Sequence, residues 1–179
     1  MNYRIASALF VVGVGGIAGC VRVQPAPAFV ETSCTAPRFV SPFTAVDPCS
    51  AEAVLVAALV AMFSYTPATE SDQQAAFTAA APLLTPDYAA RGRSAATVIL
   101  PITVATWQQW RTAAVAVDAE AHLTGDDHPV DTDTAIYRVM ALTLRPSDAS
   151  ASLTFTAYVT AGRTDRATAW RLSGIEVLG

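Results

Sequence analysis

Leu153, Phe155, Ala157 and Val159 alternate without a break with Thr154, Thr156, Tyr158 and Thr160, and this division constrains the fold more than any other feature. A β-strand turns successive side chains to opposite faces, so such a segment needs apolar cover on one side only. Residues 110–123 alternate in the same way. There Val115, Val117, Ala119, Ala121 and Leu123 oppose Asp118, Glu120 and His122. Residues 135–144 and 169–178 complete a set of strands. The turn-rich stretches Gly125-Asp126-Asp127-His128-Pro129, Pro146-Ser147-Asp148 and residues 162–166 separate them, which predicts an antiparallel meander.

Cover for the apolar face comes from upstream. Residues 51–63 are apolar on every side of a helix apart from Glu52, a pattern that belongs in a core. Val54, Leu55, Leu59, Met62 and Phe63 are the expected anchors, and Asp47-Pro48 supplies a cap followed by proline at the first helical position. After a break at Tyr65-Thr66-Pro67, a second helix is predicted from Ser71 or Asp72 to Pro82, burying Ala76, Phe77 and Ala80. Thr85-Pro86-Asp87 repeats the start signal and opens a third helix through Arg91, ended by Gly92. Residues 98–102 read as a short strand or an extended loop interrupted by Pro101. Three helices ahead of about four antiparallel strands make an α+β plan.

That order, with the phrases Leu83-Leu84-Thr85-Pro86-Asp87-Tyr88, Trp107-Gln108-Gln109-Trp110 and Trp170-Arg171-Leu172, resembles the NTF2-like cone fold. In particular the chain is similar to extracytoplasmic actinobacterial proteins of the VirB8-like and Mce-associated kind over residues 47–179. Those relatives usually carry a transmembrane helix. The resemblance implies a curved sheet wrapped on the helices and a role in an envelope transport or conjugation assembly. NTF2-like enzymes place acids or tyrosines in the mouth of the cone, which here points to Tyr88, Tyr137, Arg138 and Tyr158 as pocket residues. Arg138 alternates with Ile136 and Met140. It is either an inward charge that requires a carboxylate partner or, as favoured here, a side chain on an exposed face at the edge of the sheet.

The N-terminus carries an address. Arg4 precedes an apolar run over residues 5–18 of about 14 residues, where a membrane-spanning helix needs roughly 20. The run ends in Ile17-Ala18-Gly19-Cys20, which looks like a bacterial lipobox, although Val21 and Arg22 follow where small or polar residues are commoner. Residues 1–19 are therefore expected to be a lipoprotein signal peptide and Cys20 the site of diacylglycerol attachment. Residues 20–46, with Pro25, Pro27, Pro37 and Pro42, are expected to form the lipid anchor and an extended tether. The membrane is thus one partner, at the extracytoplasmic face. Cys34 and Cys49 remain as an even pair in an oxidising compartment. Their bridge would close a loop of about 15 residues, worth up to ~3 kcal/mol in the chain-entropy model. The alternative is two unrelated thiols.

The charge balance narrows the partners further. The formal net charge is −4 and every basic residue other than histidine is Arg, with the acids concentrated around residues 118–133. Nucleic-acid binding needs a basic stripe, which is missing. Envelope proteins are the expected partners, and a homo-oligomer is compatible with the sequence.

Candidate chemistry is sparse. Asp118, Glu120 and His122 step about 6.6 Å apart along one strand face, so they converge only with help from other strands. The acidic loop with Asp126, Asp127, His128, Asp131 and Asp133 lacks the central Gly and closing Glu of a calcium loop. A solvated strand face with an acidic hairpin is the favoured reading, with neither metal nor cofactor. Trp107, Trp110 and Trp170 read as packing residues before they read as a stacking platform. No catalytic set emerges. Expectation therefore rests on a non-enzymatic interaction module, with an apolar-ligand site or a ketosteroid-isomerase-like enzyme in the cone as the alternative.

Overall fold

The helix of residues 51–63 forms where its composition demands. The computed structural model describes residues 33–100 and 102–178, which belong to one compact unit; the expected signal peptide (residues 1–19), Cys20 and the first part of the expected tether lie outside the described residues. Helix α1 (Ala51–Phe63) buries Val54, Leu55, Ala58, Leu59, Met62 and Phe63. Its cap is Ser50 rather than Asp47: Ser50 Oγ accepts from the Ala53 amide at 3.2 Å. Asp47 instead closes a tight turn by accepting from the Cys49 amide at 2.9 Å.

Helix α2 (Gln74–Ala79) runs into a 3₁₀ turn (Ala81–Leu83), where Pro82 ends the α-helical hydrogen bonding. Ala76, Phe77 and Ala80 are buried as anticipated. Helix α3 (Pro86–Gly92) has Thr85 as its cap and proline at its start. Gly92 does not stop this helix in a left-handed turn, since its φ is −77° and a 3₁₀ turn (Arg93–Ala95) continues from it. Its role is close approach: an added Cβ would stand 2.7 Å from Phe77 Cζ and 3.2 Å from a Tyr88 ring carbon.

A fourth helix, α4 (Val104–Thr112), replaces the upstream part of the strand expected over residues 110–123. Thr103 Oγ1 accepts from the Thr106 amide at 3.0 Å and starts it. Ala114, at φ 54°, turns the chain out of the helix, and the alternating run starts only at Val115. Residues 96–100 form turns and bends rather than a strand.

Strands β1 (Val117–Leu123), β2 (Ala135–Pro146), β3 (Leu153–Gly162) and β4 (Arg171–Leu178) form one antiparallel sheet in the order β1-β2-β3-β4. The β2–β3 register sets Tyr137 opposite Thr160, Val139 opposite Tyr158 and Met140 opposite Ala157. Register shifts between Thr160 and Ala161 where β3 meets β4. Ala119, Met140, Leu142, Leu144, Ala157, Val159 and Leu172 are buried on the helix-covered face. Phe63 meets Phe155 edge-on at 5.4 Å, which ties α1 to β3.

The tether expected over residues 20–46 does not extend to Asp47. Phe39 is only 6% exposed, and Phe43 and Val46 pack partly buried on the same core. The Thr35 amide donates to Ala167 O at 3.1 Å, and Cys34 and Cys49 form a disulfide with a Cα separation of 5.7 Å. Proline-rich composition argued against regular structure here, and none forms among the described residues 33–46. It did not argue against packing. Among the described residues no helix is long and apolar enough to cross a membrane.

Candidate functional site

The four residues expected to line a pocket do not meet in one. Tyr88 is buried at 8% exposure on α3, edge-on to Phe77 at 5.7 Å. Burial pushes its phenol up to about 12, with Arg91 acting weakly in the other direction, so it stays neutral at physiological pH. Tyr137 and Tyr158 are 38% and 49% exposed on the opposite, uncovered face of the sheet. Arg138 follows the inward alternation, not the exposed edge position.

Arg138 is nevertheless well paired. Its guanidinium donates to both oxygens of Asp131 at 2.7 Å and to Glu52 Oε1 at 3.3 Å, and its side chain is 13% exposed. The fork ties β2 to the β1–β2 loop and to the first turn of α1. Hydrogen bonding from Arg138 holds the Asp131 carboxyl below its usual range. The half-buried cation carries its own counter-ions, which marks it as a structural clamp.

Large apolar side chains pack between the helices and the sheet among the described residues. Leu55, Leu59, Phe63, Phe77, Leu83, Met140, Leu142, Leu144 and Leu172 are among the largest fully buried side chains. The Trp residues join this packing. Trp107 is 4% exposed and lies edge-on to Tyr65 at 5.5 Å, Trp110 packs partly buried, and Trp170 is 6% exposed. Trp107 Nε1 is the one buried side-chain polar atom without a partner among the described residues.

Part of the acidic stretch is engaged in ion pairs. Glu120 reaches Arg145 at 2.7 Å and lies 4.0 Å from His122, while Asp133 reaches Arg166 at 2.5 Å. His128 hydrogen-bonds its neighbour Pro129 O at 2.9 Å. Among the described residues no group of three or more His, Cys, Asp or Glu is placed to hold a metal ion.

Two surfaces remain. The first is the sheet face that the described residues leave uncovered, where Thr160 lies opposite Tyr137, Thr156 and Thr160 flank Tyr158, and Thr143 and Thr154 follow farther along. Val139, opposite Tyr158 and two residues from Tyr137, is 4% exposed despite lying on this face. The second is a groove of about 990 Å³ built from residues 35–40, the segment from Pro82 to Pro86, and the β3–β4 turn. Arg38, Arg163 and Arg171 line it. Sequence reading missed this groove because its three walls are far apart in the chain, and only the packing of residues 35–40 brings them together. Compared with protein-family models, with curated proteins and with solved structures, the chain has no significant match.

Proposed function

We propose that this chain is a lipoprotein whose folded part serves as a non-enzymatic interaction module on the extracytoplasmic face of the membrane. Signal peptidase removes residues 1–19, and diacylglycerol on Cys20 retains the mature chain. The domain is a member of the NTF2-like class and acts as an accessory or scaffold part of an envelope transport or conjugation assembly.

The observation that carries the reading is the contrast between a solid interior and an open sheet face. Leu, Met and Phe side chains pack between helices and sheet, where an NTF2-like enzyme or apolar-ligand carrier would hold its substrate. On the opposite face of the sheet, which the described residues leave uncovered, two half-exposed tyrosines stand beside threonines. Tyrosine offers a rigid apolar ring with a polar tip, the type of anchor found at protein interfaces.

The test is capture of the native lipoprotein from detergent-solubilised membranes, with a photo-crosslinking residue at position 156, beside Tyr158 on the same face. A crosslinked envelope protein is expected from wild type and is lost when Tyr137→Asp is introduced. Recovery of wild type as an isolated monomer with no crosslink would overturn the reading.

A further inference from the structure

Arg38, Arg163 and Arg171 line one groove, and none of them has a carboxylate partner among the described residues; Arg111 is likewise held by backbone carbonyls but lies outside the groove lining. Arg91, Arg138, Arg145 and Arg166 each pair with a carboxylate. The three groove arginines are held by other means. Arg38 donates to Thr44 O at 3.3 Å. Arg163 donates to Asp133 O at 2.6 Å and Arg166 O at 3.1 Å, and its guanidinium lies 4.3 Å over the Trp170 ring. Arg171 donates to Pro82 O, with its guanidinium 5.3 Å from the Phe39 ring centroid. A guanidinium has five N–H donors, and backbone carbonyls engage one or two on each of these residues. Carbonyls and ring faces orient an arginine without neutralising it. The result is a concave, positively charged surface on a chain whose net charge is −4.

We propose that this groove binds the phosphate headgroup of an anionic phospholipid in the leaflet that holds the anchor. Arginine forks match phosphate oxygens bidentately, and the apolar floor of Phe39, Pro82 and Ala169 receives the glycerol and first acyl carbons. Position favours a lipid over a soluble acidic peptide. One wall of the groove is made of residues 35–40, the first part of the described chain. From Cys20 to Ser33 the chain advances about 13 residues, which span at most about 45 Å even when fully extended. Anchorage at Cys20 would therefore hold the groove within that reach of the headgroups and raise their effective concentration. Strand order adds orientation. The groove lies by the β3–β4 turn, where Asp133 is paired with Arg166 and Asp165 accepts from the Ala167 and Thr168 amides, while Asp118 and Glu120 stand on β1 at the other edge of the sheet.

This inference rests on the proposed acylation, so its test reads both. Native mass spectrometry of the full mature lipoprotein, released from an uncharged detergent, reports the mass of the acylated chain and of each lipid adduct. Phosphatidylglycerol, phosphatidylcholine, inorganic phosphate and a poly-glutamate peptide are titrated in parallel. Phosphatidylglycerol is expected to bind about tenfold or more tightly than phosphatidylcholine, and more weakly as salt is raised. Arg163→Gln and Arg38→Gln should each reduce that binding about fivefold to tenfold, and Arg91→Gln should leave it unchanged. Arg38 is exposed and makes one carbonyl contact, so its variant tests the groove even if Arg163→Gln disturbs the fold. Equal binding of the two lipids, or retention of phosphatidylglycerol in both arginine variants, would overturn the proposal. So would binding of free phosphate as tight as that of the lipid, or tighter binding of the peptide. An unacylated chain that still shows the lipid preference removes the anchor and leaves the groove standing.

Discussion

Replacing Phe39 by alanine tests whether the chain ahead of Asp47 belongs to the folded unit. The side chain is 6% exposed and packs in the core cluster beneath the Arg171 guanidinium. Truncating a fully buried Phe costs about 3–5 kcal/mol through lost transfer energy and the cavity left behind. Phe39 borders an open groove into which water can move, so the lower end applies, about 3 kcal/mol. Loss of the ring under Arg171 is worth a further ~0.5–1 kcal/mol at such a site. For a unit of this size each kcal/mol shifts Tm by roughly 3–4 °C, giving a drop of about 10 °C or more. Val40 is the internal control: it is adjacent in sequence but 65% exposed, and Val40→Ala should stay within about 0.5 kcal/mol of wild type. Thermal unfolding followed by circular dichroism reads both variants. If Phe39→Ala melts within about 2 °C of Val40→Ala, residues 33–46 are a tether after all and the packing argument fails.

Other perturbations test separate parts of the account. Gly92→Ala drives a methyl to within 2.7 Å of the buried Phe77 ring; the overpacking outweighs the gain in helix propensity, and a net loss of about 1–2 kcal/mol is expected in urea unfolding. Replacing Cys34 and Cys49 together by alanine opens a loop with a sequence separation of 15 and should cost up to about 3 kcal/mol, with reduction of wild type by dithiothreitol giving a matching loss. Arg138→Gln removes the partner that depresses the Asp131 carboxyl. A depressed carboxylate contributes stability that is present above its unfolded value near 4 and is lost as pH falls through the folded value, so wild type and variant should differ at pH 7 and converge in acid. Asp131 is itself well exposed, so this carboxylate should account for about 1 kcal/mol or less; equal separation of the two melting curves at pH 7 and pH 2 would refute the assignment.

Much of the sheet and the central helix was legible because their burial is one-sided or complete. The alternation of β3 from Phe155 to Ala161 fixes its inner face without reference to any other segment. Residues 51–63 announce a core helix by having almost nothing polar to expose. Helix α4 was not legible. Thr103, Val104 and Thr106 are β-branched, and the alternation that starts at Val115 extends upstream by eye into Trp110. What settles the helix is the Thr103 cap and the burial of Trp107, and both depend on tertiary context. The spacing of Arg138 with Ile136 and Met140 left an inward and an edge position open, and the edge position favoured from sequence is not the one it takes. Its partners were not legible, since Glu52 lies 86 positions away on α1. The groove was hidden for the same reason, because residues 35–40 have no periodicity of their own and acquire a role only against the β3–β4 turn.

An acyl chain on Cys20 is proposed to keep this domain at the outer face of the membrane. Intact-mass analysis of protein purified from the membrane fraction tests it most directly, with Cys20→Ala alongside. The account predicts a mature chain that begins at a diacylglyceryl-modified Cys20, and a Cys20→Ala chain that keeps its leader and takes up no lipid. A wild-type chain with residue 20 unmodified would contradict it.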